Sequence, residues 1–260
     1  MSTSISHALV RPPPPSFAEG LTSVALGVPD YRTALEQHAA YVAAIKQTGI
    51  NVIELPPLND FPDSCFVEDT AVLIEDAAIA MRPGSPKRRG EVPLLMSVLS
   101  DYVRPIGGID AEGMLDGGDV LEMDRRLFVG LTQRTNALGV EQLRTIVAPR
   151  GYEVTAVEVQ GMLHLKTGST RLGTNIVTAR RSLAAALTKA GLDVLEVPEH
   201  EAYAANCLRI NDHLLMARGF PETQALIREA KLVPSNHVIE VEMSEFAKQD
   251  GGLTCLSRLW

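Results

Sequence analysis

A unit of two short apolar runs, a helical stretch and a third apolar run recurs along the chain, each time near a distinctive loop motif. The motifs are FVED (Phe66 to Asp69), GGDV (Gly117 to Val120), LHLKTG (Leu163 to Gly168), AANC (Ala204 to Cys207) and GGLTC (Gly251 to Cys255). Their separation, roughly 40 to 50 residues, is the period of repeated supersecondary units that stack on one another. The paired runs are Ala71 to Ile74 with Ala77 to Met81, Val120 to Met123 with Leu127 to Val129, and Cys207 to Ile210 with Leu214 to Ala217. Helical periodicity follows near Glu91 to Ser100, Gly139 to Ala148, Ser182 to Lys189 and Glu222 to Ala230, with strand-like runs at Glu153 to Val159, Ile176 to Thr178, Asp193 to Val197 and Val238 to Val241. At the front, a strand around Ala8 to Val10 leads into the polyproline run Pro12 to Pro15. Asp30 is then suited to cap a helix whose apolar face takes in Ala34, Leu35, Tyr41, Val42 and Ile45, and a strand over Val52 to Leu55 follows. Thr254 to Leu259 forms the last such run. An α/β ring of about five ββαβ units around a pseudo-fivefold axis accounts for this order, with residues 1–260 as one domain and the motif loops gathered at one end. An open α/β sheet has similar alternation, so periodicity alone leaves both architectures standing.

The totals exclude several function classes. Apolar residues make up 45% of the 260 and charged residues 22%, enough for a real core. No apolar run approaches the ~18 residues of a membrane-spanning helix, and the N-terminus MSTSISHALV lacks the basic and apolar regions of a secretory leader. A net charge of −8 argues against nucleic acid, whose phosphates need clustered Lys and Arg, and suits a cationic small molecule. The three cysteines, Cys65, Cys207 and Cys255, are odd in number, with no CxxC and no zinc-ligand spacing. They read as free thiols in a reducing, cytoplasmic compartment, with no dedicated metal site and no cofactor.

If the motif loops converge, they bring together a thiol (Cys255), an imidazole (His164) and the carboxylates Asp63, Glu68, Asp69, Asp116 and Asp119. A thiol attacks only as thiolate, and a nearby imidazole can manage its proton. The crowd of acids is the odd element, because anions raise a thiol pKa and hinder a nucleophile. A guanidinium resolves this: it is permanently cationic and planar, and it forms paired hydrogen bonds with carboxylates. An acidic pocket around a thiol therefore suits a guanidine better than an acyl group.

The set PDSCFVED, RPGSPKRRGE, LDGGDVL, GLTQRTN, LHLKTG, YAANCL and DGGLTC closely resembles the dimethylarginine dimethylaminohydrolase family, in the expected order over nearly the whole chain. That resemblance implies the five-bladed α/β propeller of the guanidino-group-modifying superfamily. It also implies hydrolysis of Nω-methylated arginine to citrulline and a methylamine through a covalent thiouronium. By the same likeness Cys255 is the nucleophile, His164 the general acid and then base, and Asp116 the carboxylate that orients the imidazole. Glu68 and Asp69 match guanidinium-side positions, and Asp63 matches a substrate-binding carboxylate. Arg88 and Arg134 match the arginines that hold the amino-acid end, a role that fits the need of an α-carboxylate for a cationic partner. Leu21 matches a loop position that touches substrate and closes over it. Gln249 stands where similar sequences carry Val or Ile, which bears on substrate preference. The partner implied is a small methylated arginine, and the assembly a monomer or homodimer.

Other readings follow from the same residues. A deiminase acting on another guanidino substrate would use the same chemistry with a different leaving group, but such chains and amidinotransferases carry inserted segments for which 260 residues leave no room. A binding protein without catalysis has no need of both thiol and imidazole. Cys65 and Cys207 read as packing residues, the ordinary fate of a free cysteine. The acid crowding further suggests that Cys255 stays protonated until a cationic substrate arrives.

Overall fold

The computed structural model describes residues 4–260; the first three, on which part of the leader reading rests, lie outside the described residues. Strand β1 (His7–Val10), helix α1 (Tyr31–Gln47) and strand β2 (Asn51–Glu54) open the chain, and Asp30 caps α1 by accepting the Thr33 N–H at 2.7 Å. The next unit holds β3 (Ala71–Ile74), β4 (Ala77–Ala80), α2 (Glu91–Leu99) and β5 (Arg104–Gly108). The third holds β6 (Val120–Met123), β7 (Arg126–Leu131), α3 (Ala137–Val147) and β8 (Glu153–Glu158). The fourth holds the short α4 (Leu165–Gly168), then β9 (Ile176–Ala179), α5 (Arg181–Lys189) and β10 (Asp193–Glu196). Finally come β11 (Leu208–Ile210), β12 (His213–Ala217), α6 (Pro221–Glu229), β13 (Val238–Val241), α7 (Ser244–Ala247) and β14 (Ser257–Leu259).

Each complete unit is an antiparallel hairpin followed by a parallel strand reached through a helix: β3-β4-β5, β6-β7-β8 and β11-β12-β13. The fourth sheet has only β9 and β10, with a lone bridge from Arg171 to Val177 where the outer hairpin strand would lie. The fifth sheet is assembled from both ends of the chain: β14 pairs antiparallel with β1, which pairs parallel with β2. The C-terminal strand thus closes the ring.

The packing shows how the ring is held. Five apolar clusters lie between successive units. One joins Leu9 and Leu55 to Leu73 and Leu95, and the next joins Val72 and Ile79 to Leu127 and Leu143. A third packs Leu121 and Phe128 on Val177 and Leu183, and a fourth packs Leu172 on Leu214 and Ile227. The last joins Ile210 and Leu215 to Ala8 and Tyr41, completing the circle. Strands buried on both faces read as continuous apolar runs, which is why AVLI and AAIA were visible as strands. β5 (RPIGG) was not: its proline, paired glycines and largely exposed face carry no strand pattern, and its pairing with β4 is interrupted between Ala78 and Ile79. The run expected over Thr254 to Leu259 also divides, into a 3-10 turn at Leu253–Leu256 and then β14. No helix among the described residues is long and apolar enough to cross a membrane.

Candidate active site

The motif loops meet at one face of the ring. A 3-10 turn at Val67–Thr70 precedes β3, another at Gly117–Asp119 precedes β6, and the turn at Leu253–Leu256 precedes β14. His164 stands immediately before α4, where Thr167 Oγ1 accepts its backbone N–H at 3.3 Å. Asp119 ties two of these loops together: one carboxylate oxygen accepts the Leu165 N–H at 2.8 Å, the other the hydroxyls of Thr132 and Thr135 at 2.8 and 2.6 Å. Burial pushes its carboxyl up to about 6 despite the nearby His164.

Cys255 and His164 line one cavity with Asp69, Arg88 and Arg134, and the same cavity takes in Leu21, Asp63 and Gln249. Asp116 is fully buried beside it; its Oδ2 lies 2.9 Å from His164 Nε2 and its Oδ1 accepts the Gly84 N–H at 2.8 Å. The His164 ring thus has a fixed orientation and a carboxylate partner. Gly118 is required at this point, because a Cβ there would stand 2.7 Å from His164 Nδ1 and 2.8 Å from Asp69 Oδ1. Glu68 is not brought into the cavity. It lies on the floor of a separate, larger cavity of about 860 Å³ on the hairpin-turn face, gripped by Lys166 Nζ at 2.5 Å and Thr254 Oγ1 at 2.8 Å. The FVED turn aims its two consecutive acids at opposite faces of the ring.

The two arginines differ as well. Arg88 is buried and donates to Asp69, to both carboxylate oxygens of Glu91 (3.1 and 2.8 Å) and to the carbonyls of Phe66 (2.8 Å) and Asp63 (3.2 Å). Nearly all its donors are used inside the protein. Arg134, partly exposed, has among the described residues only a 3.8 Å approach to Asp116, which leaves its guanidinium able to meet an anion. Leu21 enters through its backbone, donating its N–H to Asp63 Oδ1 at 2.9 Å. Gln249 is buried, with Nε2 directed at the Phe17 carbonyl at 3.4 Å.

The charges set the proton inventory. Burial pushes the Cys255 thiol up, and Glu68 and Asp69 push it further; the Gly252 N–H, 3.4 Å from Sγ, and Lys166 oppose this weakly. Burial works against a charged His164, yet Asp69, Asp116 and Asp119 overcome it and raise the imidazole to about 9. For Asp69 burial is likewise overcome, here by His164 and Arg88, which hold its carboxyl at about 2. At neutral pH the site therefore contains a neutral thiol, an imidazolium and an ionised Asp69. Asp69, Asp116 and His164 also present three ligand atoms within 4.8 Å of one another, a spacing at which a metal ion could be held, although Arg88 already supplies positive charge there.

Sequence reasoning assigned no role to Lys166, Asn206, Glu91 or Asp250. Lys166 and Asn206 lie inside quoted motifs: Asn206 bonds the Lys166 carbonyl at 2.8 Å and both the hydroxyl and N–H of Thr254 at 3.0 and 3.1 Å, bracing the turn that carries Cys255. Glu91 and Asp250 close and open the motifs RPGSPKRRGE and DGGLTC; Glu91, at the start of α2, had no chemical signature apart from its spacing three residues after Arg88.

A family model described as N,N dimethylarginine dimethylhydrolase, eukaryotic, matches residues 30–256. The N(G),N(G)-dimethylarginine dimethylaminohydrolase of Pseudomonas aeruginosa is 38% identical over 252 residues, covering 96% of this chain and 98% of the relative. Its counterpart in Streptomyces coelicolor is 39% identical over 251 residues, covering 96% and 95%. Among solved structures, the P. aeruginosa enzyme as a cysteine-to-serine mutant complexed with citrulline superposes with a TM-score of 0.94 at 35% identity, over 99% of this chain and 100% of that one.

Proposed function

The chain belongs to the dimethylarginine dimethylaminohydrolase family, and from that membership we propose that it hydrolyses Nω-methylated L-arginine to L-citrulline and a methylamine. The observation that carries the reading is the shared cavity of Cys255 and His164, with Asp116 fixed on the imidazole and acids around both. A guanidinium entering this cavity lowers the cost of ionising Cys255, whose proton passes to solvent because His164 is already protonated. The thiolate attacks the central guanidinium carbon, and the tetrahedral adduct expels the methylated amine as His164, already an imidazolium, gives it a proton. The product of this half is a thiouronium on Cys255. His164, now neutral, takes a proton from water as its oxygen adds to the same carbon. Collapse breaks the C–S bond as the adduct's hydroxyl gives up its proton to the departing sulfur, which restores the thiol and leaves the ureido group of citrulline. Asp116 keeps the ring oriented and stabilises its charge through both halves.

Arg134 is the main partner of the substrate carboxylate, and Arg88 chiefly neutralises Asp69 while contributing one face of the cavity. Asp69 acts on the guanidinium, and Asp63, with Leu21 and Gln249, on the amino-acid end. Glu68 acts indirectly, through its bond to Thr254 beside the nucleophile. The whole chain works as one catalytic domain, as a monomer or homodimer, and its three unbridged cysteines support a cytoplasmic location.

Citrulline formation measured with L-arginine, Nω-monomethyl-L-arginine and asymmetric dimethyl-L-arginine tests the reading. Turnover of the methylated substrates well above that of arginine is expected. Preference for arginine itself means a deiminase, and no citrulline from any of them refutes the assignment. Cys255→Ser should abolish turnover while still binding citrulline.

A further inference from the structure

Gln249 carries a buried carbonyl oxygen with no donor. Its side chain is 4% exposed, Nε2 points to the Phe17 carbonyl at 3.4 Å, and Oε1 has no hydrogen-bond partner among the described residues. The Phe17 carbonyl, which also accepts the Gly20 N–H at 3.1 Å, needs a donor on that side and so fixes which way the carboxamide faces. Buried acceptors without donors are rare enough to require an explanation.

The surroundings supply one. A Cβ on Gly20 would fall 3.2 Å from Gln249 Oε1 and 2.8 Å from Asp63 Oδ1, so both acceptors flank the same loop residue, and both residues line the active cavity. Asp63 takes a single N–H, from Leu21. The other acids of the cavity are already engaged, Asp69 by Arg88 and the Gly118 N–H and Asp250 by the Ser23 N–H and hydroxyl, and Asp116 beside it by His164 and the Gly84 N–H. The acceptor surplus is therefore localised at Asp63 and Gln249. A ligand group that satisfies two neighbouring acceptors at once must be a multiple N–H donor. With the guanidinium committed to Cys255 and His164, and the carboxylate to Arg134, the remaining donor of an amino-acid substrate is its ammonium.

We propose that the Gln249 side-chain oxygen accepts a hydrogen bond from the α-ammonium of the substrate beside Asp63, and thereby selects α-amino-acid guanidines over guanidines lacking the amine. The proposal rests on the reading of the cavity as a methylarginine site. A Val or Ile at this position offers no side-chain acceptor, so the device belongs to Gln249 itself.

The test compares wild type and Gln249→Leu on Nω-monomethyl-L-arginine and on its des-amino analogue, the same molecule with hydrogen in place of the α-amino group. Loss of one hydrogen bond to a charged group predicts a KM for the amino substrate about tenfold or more higher in Gln249→Leu, with kcat within about twofold. The KM for the des-amino analogue should not change. An equal KM increase on both substrates, or no increase on either, overturns the proposal. If wild type turns over neither compound, the activity reading fails on its own. Calorimetric binding to Cys255→Ser, with and without Gln249→Leu, then decides: a loss confined to L-citrulline and absent for its des-amino analogue upholds the ammonium contact, whereas equal losses, no loss or no citrulline binding at all refutes it.

Discussion

Cys255 sits in surroundings that oppose its own ionisation, since burial, Glu68 and Asp69 all favour the neutral thiol. Alkylation by iodoacetamide should accordingly be slow at neutral pH, and Asp69→Asn should speed it, because removing a nearby negative charge lowers a thiol pKa. An unchanged or slower rate in the variant would mean that Asp69 does not act on the sulfur. Arg88 and Arg134 show what single residues conceal in sequence. Both were legible as cations for a carboxylate, but the buried partners of Arg88 were not, because Glu91 and the Phe66 carbonyl become its partners only in the folded turn. Removing Arg88 strands Asp69 and Glu91 in the interior, so Arg88→Met should cost about 3–5 kcal/mol in urea denaturation. Arg134→Gln should leave stability within about 1 kcal/mol and raise KM instead, provided Arg134 meets the substrate carboxylate. Comparable stability losses in the two variants would erase the distinction.

At the level of elements, the strands and helices with apolar periodicity were legible nearly to the residue, from β3 (Ala71–Ile74) to β13 (Val238–Val241). What escaped was backbone whose placement comes from its neighbours: β5 through its parallel pairing with β4, α4 through the Asp119 bond to Leu165, and α7 through Gln37, which accepts the Glu245 N–H at 3.0 Å. The loop at residues 21–28 is also of this kind. It leads away from Leu21, which lines the cavity, and is held by Thr22 Oγ1 on the Lys248 carbonyl at 2.9 Å and by Ser23, whose N–H and hydroxyl bond Asp250 at 2.5 and 3.0 Å. The cavity offers only about 20 Å³, room for about one water. A methylarginine therefore requires part of the lining to move, and the Asp250 bonds tie down the segment that follows Leu21. Asp250 has φ +57°, which glycine adopts without strain, so Asp250→Gly removes the Ser23 bonds while keeping the turn. Limited chymotrypsin digestion should then cut within residues 21–28 several-fold faster than in wild type, and citrulline should slow that cleavage. Equal cleavage rates would show that the Asp250 contacts do not hold the loop.

Across the whole molecule, one ring brings the functional groups together, and those groups in turn bear on the stability of the ring. His164 draws its partners from three units: Asp69 ahead of β3, Asp116 ahead of β6, and its own α4. Its imidazole titrates at about 9 in the folded protein against about 6.5 in the unfolded chain, so folding favours the charged form. That contribution is complete below pH ~6.5 and is lost as pH rises towards 9, an amount of roughly 3 kcal/mol at ~1.4 kcal/mol per unit. Between pH 7 and 8 the other shifted groups contribute little. Asp119, raised to about 6, has nearly finished titrating by pH 7; His38, which burial lowers to about 4, adds slightly to stability as the last unfolded-chain imidazole loses its proton above ~6.5; and the buried thiols subtract slightly as thiols of the unfolded chain begin to ionise below ~8.5. Comparing two proteins that share these groups cancels them, so urea denaturation at pH 7 and pH 8 reads the imidazole; guanidinium is unsuitable as denaturant because it resembles the proposed ligand. Wild type should lose roughly 1 kcal/mol more over that unit than His164→Asn, which carries no titrating ring. Parallel profiles for the two proteins would mean that Asp69 and Asp116 do not hold the imidazole charged, and the proton needed by the departing amine would have to come from elsewhere.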